Sequence, residues 1–222
     1  PAGWSLAWLE GTSWGQARVA RETRLAVGEW IDTGEDRARL SVGEIGEVRL
    51  EPATRVGLLD AGERSHHLSL AQGVLHAMIW APPGQFLVDT PSAVAVDLGC
   101  SYTLEVDDSG SGLLRVETGW VGFEHRGRQS LVPAGALCPM RRESGPGTPR
   151  YETASPSFAA ALDVVDFALR GTARDDALSR VLAEARGKAT AIATSNRATL
   201  NAEIDAERAK LDKALGAKVG EA

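Results

Sequence analysis

The sequence predicts a mainly β fold, a solenoid-like or sandwich-like stack of short strands, followed by an α-helical C-terminal tail. Three observations carry that prediction. All six Trp (4, 8, 14, 30, 80, 120) and 20 of the 24 Gly fall before residue 150. All four Lys (188, 210, 213, 218) fall after it, with 19 Ala in the last 72 positions. Gly, Val and aromatic residues suit short strands and turns, whereas Ala, Lys, Glu and Leu suit helices. The boundary reads Glu143-Ser-Gly-Pro-Gly-Thr-Pro149, and two prolines with two glycines in seven residues stop any regular element. The expected organisation is a β domain over residues 1–145 with its core at 25–140, a Pro/Gly hinge at 146–156 and a helical tail at 157–222.

The strand signals run in order. Arg37 to Leu40 leads into Ser41 to Leu50, where Val42, Ile45, Val48 and Leu50 are apolar. Arg55 to Leu59, His67 to Leu70 and Gly73 to Trp80 follow. Pro82-Pro83-Gly84 precedes Gln85 to Asp89, which Thr90-Pro91 breaks. Ala93 to Leu98 and Tyr102 to Val106 come next, then a turn cluster at Asp107 to Gly112, then Leu113 to Glu117 and Trp120 to Glu124. Strands at roughly 8–12-residue spacing indicate an all-β sandwich, barrel or solenoid. No gap holds a crossover helix, which argues against a doubly wound α/β fold. A Gly followed by a short apolar strand recurs at Gly46, Gly73 and Gly119, at uneven spacings of 27 and 46. Periodicity therefore leaves solenoid and sandwich both open. Trp4, Trp8 and Trp14 suit a membrane interface, carbohydrate stacking or, more often, the cover of a core edge, and Trp4 and Trp8, four apart, fit either one face of a short helical turn or an extended entry strand.

The tail carries two helical patterns. Ser157 can cap a helix whose apolar positions are Phe158, Ala161, Leu162, Val165, Ala168 and Leu169, ended by Gly171. A second pattern starts near Thr172 to Asp175. It runs through Leu178, Val181, Leu182, Ala185, Ala189, Ile192, Leu200, Ile204, Leu211 and Leu215, with Gly187 and Asn196 weakening its middle. So thin a stripe packs on its own domain, pairs with a partner helix or stands partly free.

The 222 residues suffice to bury a core without metals or cross-links. A net charge of −6 argues against general nucleic-acid binding. No apolar run reaches about 18 residues, so no transmembrane span is expected within the chain, nor is a signal peptide seen. The opening on Pro1 rather than Met leads us to expect a processed or excised product whose anchor lies upstream.

Motifs for chemistry are missing. His66, His67, His76 and His125 match no zinc spacing, and adjacent strand residues point to opposite faces. There is no Gly-x-Ser-x-Gly elbow, no recognisable nucleophile and no phosphate-binding loop. No catalytic, cofactor-binding or metal-ligating residue is assigned, no cofactor is expected, and the chain is expected not to be an enzyme.

The ordered segments do carry a resemblance. These are Thr33-Gly34, Val42 to Pro52, Leu68 to Ala77, Phe86 to Gly99, Leu114 to Val121 and Val132 to Ala136. Together, over about residues 25–140, they resemble the FecR domain. The family's Leu-Gly-Thr reads Leu98-Gly99-Cys100 here. The resemblance implies the periplasmic or extracytoplasmic domain of a single-pass membrane regulator, of the anti-sigma-factor type. Such a domain senses by contact with another envelope protein, either an outer-membrane transporter or a different sensor component. It implies a largely β, solenoid-like fold, a membrane anchor upstream and no turnover. The transporter-facing members end in a small mixed α/β module, where this chain has Ala-rich helix. The alternative is a periplasmic structural or scaffolding domain without sigma-factor signalling.

In an envelope compartment, Cys100 and Cys138 become the disulfide candidate. Closing a loop of about 39 residues would contribute roughly 3–4 kcal/mol in the chain-entropy view. The competing expectation is two buried, reduced thiols.

Overall fold

The computed structural model describes residues 2–11, 13–168 and 171–219, with side chains as far as Lys210. Leu169 and the side chains of Leu211 and Leu215, all expected in apolar stripes, lie outside the described residues. The strands are β1 (Gly3–Glu10), β2 (Arg18–Ala26), β3 (Trp30–Asp32), β4 (Arg37–Val42), β5 (Gly46–Leu50), β6 (Arg55–Ala61), β7 (His66–Ile79) and β8 (Phe86–Asp89). They continue as β9 (Val94–Asp97), β10 (Ser101–Val106), β11 (Gly112–Thr118), β12 (Trp120–His125), β13 (Arg128–Pro133), β14 (Ala136–Arg141), β15 (Gly145–Pro146) and β16 (Arg150–Tyr151). Two helices follow, α1 (Pro156–Phe167) and α2 (Thr172–Val219).

The pairing is that of an open, mostly antiparallel sandwich-like stack. One sheet runs β2-β1-β4-β5-β7-β10-β11-β14, with β15 and β16 along the outer side of β14. The other runs β3-β6-β7-β8-β9-β12-β13. Only β7 with β8 is parallel among the described pairs. The two sheets share β7. Its first half pairs with β6 and β8, and its second half pairs with β5 and β10.

The switch is visible in the burial of β7. Leu68 and Leu70 are buried, then Leu75, Ala77 and Ile79, so the buried parity changes between residues 70 and 75. Gly73 sits in that interval with φ +98°, and a Cβ there would lie 2.4 Å from Thr54 Cα. Only glycine fits such a bend. Thr54 pins it from the neighbouring turn: its hydroxyl accepts from Val74 N at 3.0 Å and donates to Val74 O at 3.2 Å. The sequence pattern splits this strand at Ala71-Gln72, beside the bend, because the parity change resembles a strand end.

One continuous core fills the stack, including Trp4, Leu40, Leu50, Leu68, Leu75, Phe86, Leu104, Leu114 and Phe123. Trp4 is part of it and Trp8 packs against it, so the extended alternative holds for this segment, in β1. The strands β1 to β3 carry no clear strand signal in sequence. β2, an edge strand paired with β1, is exposed along nearly its whole length and joins the core at Leu25. Its three arginines (18, 21 and 24) fit the usual protection of an open edge by charge.

The Pro/Gly segment expected as a hinge contributes β15 and β16 to the sheet edge. Pro146 lacks an N–H and so belongs at an edge. The compact units are Pro1–Ala159 and Ala160–Ala222. The first helix is capped two residues earlier than Ser157 suggests: Ser155 Oγ accepts from Phe158 N at 3.2 Å. The second helix runs unbroken through Gly187 and Asn196 over 48 residues. No helix among the described residues is long and apolar enough to cross a membrane.

Candidate functional site

Strand alternation builds a cleft on the outward face of the first sheet. On β5, β7, β10 and β11 the residues Val48, Ala77, Tyr102 and Val116 form one inward row. One step along, Arg49, His76, Thr103 and Arg115 stand side by side facing out. The next outward row contains Glu47, Met78 and Ser101. Trp14, from the β1–β2 connection, also lines the cleft, which encloses about 280 Å³.

A chain of hydrogen bonds connects these side chains. Glu51 Oε1 accepts from Trp14 Nε1 at 2.5 Å, and Oε2 accepts from Arg37 Nε at 2.9 Å. His76 Nε2 lies 3.2 Å from Glu51 Oε1, and its Nδ1 lies 2.9 Å from Thr103 Oγ1. Thr103 Oγ1 donates to Glu117 Oε1 at 2.9 Å. Burial alone would raise the Glu51 carboxyl, but hydrogen bonds from Trp14, Arg37 and His76 and the Arg37 charge outweigh it and hold the group below its usual value. Arg49 bonds Glu47 at 2.7 Å and lies 5.4 Å from the centre of the Trp14 ring.

The acid–imidazole–hydroxyl order invites comparison with a nucleophilic triad. Proton counting argues against that role. Thr103 has a single hydroxyl proton, and the bond to Glu117 uses it, so none remains to hand to His76. Thr103 is also only 9% exposed. The arrangement is suited to holding a charged, shaped surface rather than to launching a nucleophile.

The cysteines are not joined; each remains a buried thiol. Cys138 pairs across to Leu114, and Leu114 to Leu104, while Cys100 lies four residues before Leu104. Two strands and four residues separate them by about 16 Å, against the 4.4–6.8 Å that a disulfide needs between Cα atoms. The expected bridge is therefore corrected to two separate sites. Cys100 Sγ donates to Asp97 Oδ2 at 2.7 Å, and Cys138 Sγ to Gly147 O at 3.3 Å. Burial, then the Asp97 carboxyl, pushes the Cys100 thiol far up. Burial likewise raises Asp97, against the hydrogen bonds from Cys100 and Gly99. A thiol so placed is inert.

His66 is buried and His67 is half-exposed, with Nε2 2.9 Å from Asp89 Oδ1, so the pair diverges as strand geometry requires. Burial, opposed by Asp60, lowers His66 and favours its neutral form. The described residues contain no group of three His, Cys, Asp or Glu placed to hold a metal. Sequence reasoning did not assemble Trp14, Glu51, His76, Thr103 and Glu117. The available signal was a polar residue at every second position of several strands, but only pairing register makes those residues neighbours.

No family model matches this chain. No curated protein matches it either. Among solved structures, two crystal structures of a "putative anti-sigma factor" from Parabacteroides distasonis align with a TM-score of 0.49 and 14% identity. Each alignment covers 60% of this chain and 63% of that one, so less than two thirds of either is spanned.

Proposed function

We propose that this chain is the extracytoplasmic binding module of a FecR-like membrane regulator, of the anti-sigma-factor type, and that the outward cleft receives an envelope protein partner. One observation supports the reading above others. Three of the six FecR-like segments contribute residues to the cleft or to the hydrogen-bonded chain beside it, and Trp14, Met78, Ser101, Tyr102 and Thr103 complete it from outside them. Val42 to Pro52 supplies Glu47, Arg49 and Glu51; Leu68 to Ala77 supplies His76; Leu114 to Val121 supplies Glu117. In this reading the domain acts by contact and performs no chemistry, and it is anchored through a segment upstream of Pro1. Exposed Met78 beside the Arg49–Trp14 stack offers an apolar anchor rimmed by charge.

The test uses the native full-length protein with a photo-reactive amino acid at Met78. A specific adduct with an envelope protein, lost on Arg49→Glu, is expected. Recovery of the protein wholly in the cytoplasm, or an adduct indifferent to Arg49→Glu, would overturn the reading. The alternative, a periplasmic scaffold without sigma-factor signalling, is favoured by the long exposed α2. A partner adduct without any change in transcription on deleting the gene would select it.

A further inference from the structure

Among its described residues, α2 buries only Ala177. Its leucines nonetheless follow an 11-residue period, with Val181 and Ile192 lying outside the two columns so formed. One column holds Leu178, Ala189 and Leu200, and a second holds Leu182, Ala193 and Ile204. In the sequence the two columns run on to Leu211 and Leu215. Eleven residues make about three turns at ~3.67 residues per turn, close to the 3.6 of a straight helix. The columns therefore stay on one side of a helix about 70 Å long. Leu182, Leu200 and Ile204 are 45%, 57% and 44% exposed.

The residues beside this seam select the occupant. One flank carries Arg186, Arg197 and Arg208, again 11 apart; the other carries Ala185, Asn196 and Glu207. Two antiparallel copies would lay arginine flank against arginine flank. Two parallel copies in register lay the arginine flank against Ala185, Asn196 and Glu207. Repulsion disfavours the first arrangement, and Glu207 with Arg208 of the second copy favours the second. Glu207 already takes Lys210 at 2.6 Å within its own helix and has a second oxygen to offer. Asn196 meets Arg197 of the second copy, a polar layer that resists slipped registers.

We infer that α2 pairs with α2 of a second copy, parallel and in register, as a nearly straight coiled coil of slight right-handed twist. The inference does not rest on the binding role assigned to the β domain. Sedimentation equilibrium of the full chain is expected to give a dimer. The double substitution Leu200→Asp with Ile204→Asp is expected to give a monomer. All six Trp lie before residue 150, so unchanged tryptophan fluorescence reports an intact β domain in that variant. Leu200→Cys is expected to cross-link the dimer under mild oxidation, the native cysteines being buried. A wild-type monomer at every concentration overturns the inference, as does a dimer that survives the double substitution. A dimer that Leu200→Cys does not cross-link overturns the parallel register, and one made with a different protein's helix overturns the choice of partner.

Discussion

Asp97 shows how a single side chain can set a pH dependence. It is 1% exposed, at the end of β9, and its oxygens accept from Gly99 N at 2.7 Å and from the Cys100 thiol. Burial raises its pKa above the usual 3.8 despite those bonds. The folded chain therefore keeps this proton at pH values where the unfolded chain releases it. Its contribution is fully present below the unfolded value and is lost as pH rises through the raised folded value. Urea unfolding of the wild type and Asp97→Asn from about pH 3 to pH 7 should show the wild type losing ground as pH rises. A difference that is flat, or that grows with pH, would mean the carboxylate is the favoured form. Glu51 has the opposite sign, because its hydrogen-bond donors outweigh its burial. Cys100 was legible as a strand-end cysteine, but its partner was not: the carboxylate three residues upstream satisfies it, and Cys138 is far across the sheet.

At the level of the element, β7 matters most, since both sheets hang on it. Leu68 to Ala77 was readable as apolar and Gly-interrupted, and the interruption marks the place where the strand leaves one sheet for the other. Gly73→Ala would force a Cβ into Thr54 and a side chain into a left-handed backbone. A loss of about 2 kcal/mol or more is expected, read from the urea midpoint. A neutral result would show that the bend relaxes. The aligned positions of β5, β7 and β10 make the cleft by the same logic. Alternation says which residues face outward, but only the register puts Arg49 beside His76 and His76 beside Thr103.

For the whole molecule, the β unit holds its own core, and none of the core cluster comes from the helices. Residues 1–159 purified alone should unfold in one cooperative step with the urea midpoint of the β transition in the full chain. A large drop in that midpoint would mean that the helices complete the core.

Sequence alone determined the composition break near residue 150, the many short strands, the two helices and the poverty of chemical motifs. These follow from local propensity and period, which neighbouring residues decide among themselves. Tertiary structure alone joined the strands through β7 into an open sheet, placed β1 to β3, drew the Pro/Gly segment into the sheet edge, separated the cysteines and assembled the cleft. Each of these depends on which strand pairs with which and in what register. That choice is made by the burial of a shared core between residues far apart in the chain, and by a bend at Gly73 that no local pattern distinguishes from a strand end.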